Sequence, residues 1–142
     1  RAAAGEKLLI TKQDKVPLKG AALECRINAE DYRNNFIPSP GKVDQFFCPG
    51  GPGVRVDTHI SAGATVSPYY DSMVAKLMTF APNRQGAIKT MLRALDEFEV
   101  GPIKTTVPLH SEILRNPIFR RGQYFTDFIP RLFGKYLSDS QN

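Results

Sequence analysis

The sequence predicts a single α+β domain, in which a mainly antiparallel β-sheet from the first two thirds of the chain carries helices from the last third. Two observations support this fold class. Short segments with alternating or uninterrupted apolar residues fill the chain up to residue 82. From Asn83 onward, apolar residues recur instead at helical spacing. A length of 142 residues suits one ordinary domain, residues 1–142, and is too short for two.

Two short β-like segments are predicted near the start of the chain, at residues 7–10 and 20–28. In the second segment polar and apolar residues alternate, so Glu24, Arg26 and Asn28 share one face of the strand. The opposite, apolar face comprises Ala21, Leu23, Cys25 and Ile27. Residues 30–41 are rich in Asn, Asp, Pro and Gly, and they predict a loop that ends in a tight turn.

The middle of the chain predicts further strands. Residues 42–47 form one candidate, and segment 48–53, with three Gly and two Pro, predicts a wide hairpin connection to a strand at 54–57. No helical pattern follows these glycines and no Lys-Ser or Lys-Thr closes the motif, which disfavours a phosphate-binding loop. Residues 60–65 are a further short segment. Residues 73–80 are almost continuously apolar and predict a buried central strand.

Helical patterns begin at Asn83, a suitable N-cap. The first predicted helix ends at Gly101 and Pro102. A second starts after Thr105 or Thr106 and stops before Pro117, since the residue preceding a proline is disfavoured in helical conformation.

The ends of the chain have their own patterns. A third helix is predicted from near Thr126, with Pro130 in or just beyond its first turn, and the polar residues 138–142 predict a frayed tail. Residues 1–5 resemble the end of a helix closed by Gly5, so we expect the earlier part of that helix to precede Arg1.

Composition is that of an ordinary globular domain, with 42% hydrophobic and 23% charged residues, and it argues against disorder, a disulfide miniprotein or a fibrous repeat. No segment approaches the roughly 18 uninterrupted apolar residues of a membrane span, and no signal-peptide pattern is present, so a cytosolic protein without membrane contact is the default. The net charge of +5 is dispersed among acidic residues, which favours a solvated surface over nucleic-acid binding.

Two cysteines, Cys25 and Cys48, are too few for a disulfide framework and lack the clustering of a zinc site, so both are expected to be small buried hydrophobes. His59 and His110 lack a Ser or Cys partner at any recognisable spacing. No carboxylate and His set resembles a metal site, and no self-contained catalytic apparatus is visible.

Two polar clusters remain as candidates. On the predicted strand, Arg26 lies between Glu24 and Asn28, where a neighbouring acid can orient its guanidinium toward an anion or carbonyl oxygen. A surface salt bridge is the alternative, and spacing alone favours it. The second cluster is the loop 67–76, where Asp71 is either a functional acid or a turn residue.

Five segments carry a resemblance to a known family: residues 24–31 (ECRINAED), 36–41 (FIPSPG), 50–55 (GGPGVR), 68–73 (PYYDSM) with Lys76, and 101–106 (GPIKTT). Their order and spacing resemble the C-terminal domain of biotin carboxylase across residues 1–115. Residues 116–142 match only in general character. The family carboxylates biotin on its carrier protein, using ATP and bicarbonate, in the first half-reaction of acetyl-CoA carboxylase and related enzymes.

The resemblance implies that Arg26 is a catalytic residue that binds bicarbonate and biotin and stabilises the enolate oxygen of the ureido group. It also implies a homodimeric parent enzyme with Arg55 and Asp71 near the interface, although Pro52 stands where relatives often have a larger residue. ATP and Mg²⁺ would bind mainly to an ATP-grasp lobe before Arg1, with no metal ligand in this chain.

The partners that the resemblance implies are the biotin carboxyl carrier protein and the carboxyltransferase, with a role in fatty acid synthesis. The domain by itself is expected to be inactive. Two alternatives stay open: a non-catalytic module that binds another subunit, and a nucleic-acid module suggested by the positive charge.

Overall fold

The computed structural model describes residues 1–138 and contains nine short strands and four helices within that part of the chain. The strands are β1 (Ala21–Asn28), β2 (Glu30–Asp31), β3 (Ile37–Pro38), β4 (Gly41–Lys42), β5 (Gln45–Phe47), β6 (Val54–Thr58), β7 (Thr65–Val66), β8 (Met73–Ala81) and β9 (Glu99–Gly101). The helices are α1 (Arg84–Glu97), α2 (Val107–Arg115), α3 (Pro117–Arg121) and α4 (Phe128–Ser138). Strands dominate the first part and helices the last, which confirms the α+β class.

A three-stranded antiparallel sheet in the order β1–β8–β6 forms the centre of the molecule. The predicted central strand is therefore confirmed as β8. Its neighbours β1 and β6 alternate inward and outward residues. The remaining strands form three two-stranded ladders, β2–β3, β4–β7 and β5–β9.

Helix α1 covers one face of the central sheet. Asn83 begins the helix, because its side chain accepts a hydrogen bond from Gly86 N at 2.8 Å, as a cap residue should. Ile27 and Leu77 from the sheet and Met91 from the helix are fully buried in the core between them. Complete burial of such side chains stabilises the fold by about 1.5–3 kcal/mol each.

The structure corrects three strand predictions. Residues 7–10 form no strand, since no described segment pairs with them, and Leu9 is 100% exposed. The segment 42–47 is split, because Lys42 pairs with β7 whereas Gln45–Phe47 pair with β9. Segment 48–53 is therefore no hairpin: it connects β5 and β6, whose partners belong to different sheets.

The helical region differs in two places. The first helix ends at Glu97, not at Gly101, because residues 99–101 turn into a strand that pairs with β5. Helix α3 was not predicted, since five residues are too few to show a period. Asn116 nevertheless marks its start by accepting a hydrogen bond from Ile118 N.

A helical segment lies near each end of the described residues. Ala2–Ala4 form a single 3₁₀ turn closed by Gly5 at φ +87°, where glycine is favoured. A longer helix ending at this turn stays a prediction. Helix α4 contains Pro130 in its first turn and extends to Ser138, the start of the predicted frayed tail. Residues 139–142 of that tail lie outside the described residues.

Candidate functional site

The face of the central sheet opposite α1 carries a row of charges. In the strand register, Arg26 of β1 lies opposite Lys76 of β8, which lies opposite Asp57 of β6. Residues directly opposite one another in a sheet project from the same face. We call this surface the open face, and its side chains are Ala22, Glu24, Arg26, Asn28, Arg55, Asp57, Lys76, Met78 and Phe80.

Arg26 and Asp71, from the two polar clusters singled out in the sequence, meet at one end of this row. The Arg26 Nη2 atom lies 3.7 Å from Asp71 Oδ2, and both side chains are more than half exposed. The other carboxylate oxygen of Asp71 accepts a hydrogen bond from Met73 N at 2.7 Å. Asp71 is thus a turn residue that also lies beside Arg26, and a functional role for this acid stays a prediction.

A second set of hydrogen bonds ties the same loop to the end of β1. The Glu30 carboxylate accepts hydrogen bonds from Asn28 Nδ2 at 3.1 Å and from the Ser72 hydroxyl. Ala29 N donates to Ser72 O at 2.8 Å. These contacts hold the loop before β8 against β1, which keeps Asp71 close to Arg26.

The pairing of β1 with β8 is irregular immediately after Arg26. The register shifts between Ile27 and Asn28, so that Val74 is an extra residue on β8. Thr58 Oγ1 donates to the Val74 carbonyl at 2.7 Å, which satisfies that displaced group. Such bulges bend a strand and redirect side chains, and they are common beside functional sites.

Arg55 lies on the same open face but is already paired within its own strand. Its Nε and Nη2 atoms donate to the two carboxylate oxygens of Asp57 at 2.8 and 3.0 Å. This pairing lowers the pKa of the Asp57 carboxyl, with a smaller contribution from the charge of Lys76, and raises the pKa of Arg55. The placement of Arg55 and Asp71 at a dimer interface stays a prediction.

The two cysteines differ. Cys25 is buried on the inner face of β1, and burial raises the pKa of its thiol to about 12, with a further contribution from the charge of Glu24. It is the small buried hydrophobe that the sequence predicts. Cys48 is only half-buried, because it lies in the connection between two sheets, so the prediction for this residue was wrong.

Two residues of the site were missed by the sequence analysis. Thr106 appeared as a helix start and as the last residue of the segment 101–106, with no role of its own, and His110 as a histidine without a partner. Both contact the backbone of Arg26. Their spacing of four residues, one helical turn, is the signal available in the sequence, but it does not indicate which strand the pair contacts.

Within residues 1–138, no three His, Cys, Asp or Glu side chains are grouped closely enough to hold a metal ion. The helices of this same part of the chain are all too short or too polar to cross a bilayer.

Comparisons with known proteins converge on one group. The model of the biotin carboxylase C-terminal domain matches residues 24–131. The biotin carboxylase of Nostoc sp. is 45% identical over 132 residues, which cover 93% of this chain and 29% of that protein. The biotin carboxylase of Pseudomonas aeruginosa is 47% identical over 134 residues, or 94% of this chain and 29% of that protein.

The fold agrees with these matches. A crystal structure of the biotin carboxylase domain dimer of Hydrogenobacter thermophilus 2-oxoglutarate carboxylase, in complex with MgADP, ADP and bicarbonate, superimposes with a TM-score of 0.85 at 39% identity. The match covers 94% of this chain and 29% of that one. The chain thus spans less than a third of the length of each of these proteins.

Proposed function

Because this chain belongs to the biotin carboxylase C-terminal domain family, we propose that it completes the active site of an ATP-dependent ligase that carboxylates biotin on a carrier protein. In this proposal residues 1–142 are one domain, preceded by an ATP-grasp lobe, and the domain alone is inactive. The carboxyl group then passes, with a carboxyltransferase, to an acceptor such as acetyl-CoA in fatty acid synthesis.

The state of the Arg26 side chain is the observation that carries this proposal. It is 57% exposed and has one ion pair, to Asp71 at 3.7 Å, and no hydrogen bond to any described residue. Its fork of N–H donors is therefore available to a ligand. Asp71 lies close enough to restrict the direction of the fork without occupying it.

An available guanidinium suits the chemistry of biotin carboxylation. Arginine stays protonated at any working pH and binds planar anions such as bicarbonate through two parallel hydrogen bonds. The same donors stabilise negative charge that develops on the ureido oxygen when biotin loses its proton. We assign Arg26 both tasks, binding of bicarbonate and stabilisation of the biotin enolate.

ATP and Mg²⁺ belong to another part of the enzyme in this proposal. The described residues offer no cluster of metal-ligating groups, whereas the Hydrogenobacter relative binds MgADP in a chain more than three times as long. The residues of this chain would supply the positive charge at the biotin end of the site, and the preceding lobe would supply the phosphate chemistry.

The test is Arg26→Ala in the full-length enzyme. We expect biotin-dependent ATP cleavage to fall about 100-fold or more, because a donor to a developing oxyanion is lost. Arg115→Ala is the matched control, since Arg115 is similarly exposed, at 59%, and also has one ion pair, to Asp96 at 3.3 Å. Unchanged turnover in a folded Arg26→Ala enzyme would reject the catalytic role and favour a module that only binds another subunit.

We also propose that the open face contributes to a homodimer of the full-length enzyme, with Arg55 and Asp71 near the contact. Apolar and charged groups are mixed there: Phe80 is 56% exposed and lines the same cleft as Arg55. The Hydrogenobacter relative is a dimer. Sedimentation of an Arg55→Glu variant should show a weakened dimer, whereas Arg115→Glu should not. An Arg55→Glu enzyme that stays fully dimeric would refute this placement.

A further inference from the structure

The free edge of β1 at Arg26 contacts the beginning of helix α2. Thr106 Oγ1 donates to the Arg26 carbonyl at 3.2 Å and accepts a hydrogen bond from Asn28 N at 3.0 Å. The backbone N–H of Thr106 donates to the Asn28 carbonyl at 3.0 Å. His110, one turn further along, places Nε2 2.8 Å from the Arg26 carbonyl. Two side chains of one helix therefore bind the same backbone oxygen.

The hydroxyl of Thr106 makes its contacts outside its own helix, and the backbone at Thr106, with φ −77° and ψ 3°, lacks the extended conformation of a usual N-cap. A threonine at the N-cap usually accepts hydrogen bonds from the first free N–H groups of its own helix. Here the side chain makes no such bond, and Pro108, in the first turn, has no N–H to offer. Thr106 is buried, so its hydroxyl needs partners elsewhere, and the edge of β1 provides both a donor and an acceptor.

The contact of His110 fixes the proton on its ring. A carbonyl oxygen only accepts hydrogen bonds, so Nε2 must carry the hydrogen and donate it. Burial lowers the pKa of His110, partly offset by this hydrogen bond, so the ring is neutral near pH 7. His110 is thus a fixed, uncharged donor to the Arg26 carbonyl.

The contacts coincide with the irregular part of β1. The register shifts between Ile27 and Asn28, and the hydrogen bonds from Thr106 and His110 lie on either side of this shift, at Arg26 and Asn28. The extra residue of the bulge, Val74, is on β8, and it locally disrupts the ladder that holds β1 on that side. Thr106 and the first turn of α2 supply hydrogen bonds to the opposite, free edge of β1 at the same point.

We infer that Thr106 and His110 are positioning residues that fix the backbone of β1 at the bulge and thereby the direction of the Arg26 guanidinium. They touch neither substrate nor the reacting atoms, and they act only through the carbonyl of Arg26 and the amide of Asn28. This inference rests on the catalytic role proposed for Arg26.

The experiment compares variants that remove the donor with variants that keep it, in the full-length enzyme. His110→Ala should lower kcat for biotin-dependent ATP cleavage on the order of tenfold, because a small misplacement of a catalytic charge has a large effect on rate. His110→Gln should retain most of the rate, since its amide also donates. Thr106→Val removes the hydroxyl and should also lower kcat, whereas Thr106→Ser keeps the hydroxyl and should retain most of the rate. The KM for ATP should be unchanged throughout.

A second measurement separates positioning from general stability. His110→Ala should lower the melting temperature by the same amount with Arg26 present and in an Arg26→Ala background. In the Arg26→Ala background it should leave the residual rate unchanged, because no guanidinium remains to be misdirected. Equal losses in His110→Ala and His110→Gln, or a rate loss that persists without Arg26, would overturn the inference. If Thr106→Val does not fold, the His110 pair and the double variants decide the matter alone.

These experiments distinguish failure of the catalytic role proposed for Arg26 from failure of the positioning role proposed for Thr106 and His110. A fully active Arg26→Ala enzyme would reject the catalytic role of Arg26, and the positioning role with it. An inactive Arg26→Ala enzyme together with a fully active His110→Ala enzyme would reject only the positioning role.

Discussion

The two faces of the central sheet are built from the same strands and have opposite properties. On β1, Cys25 and Ile27 point toward α1 and are buried, whereas Arg26 between them points to the open face and is 57% exposed. On β8, Leu77 is buried and its neighbour Lys76 faces outward beside Arg26. The alternation of a strand thus separates residues that stabilise the fold from residues that are available for chemistry.

The energetics of the two faces differ for a physical reason. Apolar side chains on the inner face are removed from water and stabilise the domain in proportion to their buried area. Ion pairs on the open face remain solvated, and solvated pairs contribute little to stability. The residues of the open face can therefore be selected for function with little effect on folding, which the following substitutions test.

The largest effect is expected from the neighbouring pair Ile27 and Arg26. Ile27→Ala removes a fully buried side chain and should reduce the free energy of unfolding by about 2–5 kcal/mol. Arg26→Ala, one position away, should change it by less than about 0.5 kcal/mol. Urea denaturation of both variants measures the difference. Comparable losses at both positions would contradict the division between the faces.

Gly53 lies just before β6, and we expect its substitution to destabilise the fold, unlike substitutions on the open face. Gly53 has φ +73°, and an added Cβ would collide with the carbonyl oxygen of Phe80. The backbone N–H of Phe80 also donates a hydrogen bond to Gly53 O at 2.9 Å. Gly53→Ala should therefore lower the free energy of unfolding by roughly 1–2 kcal/mol or more. Gly50→Ala is the control, because nothing lies near its Cβ position. Similar melting temperatures for the two variants would be incompatible with this account.

The thiol of Cys25 offers a test of the inner face at high pH. Its pKa rises from 9.0 to about 12 on folding, so the folded state keeps a proton that the unfolded state loses. This contribution to stability is complete below pH 9 and decreases as the pH rises from 9 toward 12. The loss reaches about 1 kcal/mol by pH 10. Unfolding of Cys25→Ala at several pH values should lack this decrease, and an unchanged slope would refute it.

The smallest expected effect concerns Asp57 on the open face. Arg55 lowers the pKa of this carboxyl, so its contribution to stability is present above the unfolded pKa and is lost as the pH falls through the folded value. NMR titration of the Asp57 carboxyl should show its pKa rising toward the usual range in the Arg55→Ala variant. The rise should be smaller in the Lys76→Ala variant. A larger effect from Lys76→Ala would show that the hydrogen bond from Arg55 is not the main cause.

Much of the fold follows from local patterns that the sequence displays. The alternation at residues 20–28, the apolar segment 73–80 and the cap at Asn83 each predicted an element that the structure contains. Predictions failed where an element depends on its partner. Segment 48–53 has the residues of a hairpin turn, but β5 pairs with β9, far along the chain, and not with β6. A composition of Gly and Pro determines that the chain turns and does not determine what the next strand pairs with.

The candidate site divides in the same way. The sequence by itself determined that Arg26 has a guanidinium able to bind an anion, that Asp71 is an acid, and that Arg26 lies on the polar face of a strand. These are local properties of residue type and period. Only the tertiary structure decided that Asp71 lies beside Arg26, and that Thr106 and His110, 80 and 84 residues away, bind its carbonyl. Such contacts depend on strand register and helix docking, which arise from packing of the whole domain and from no pattern within either segment.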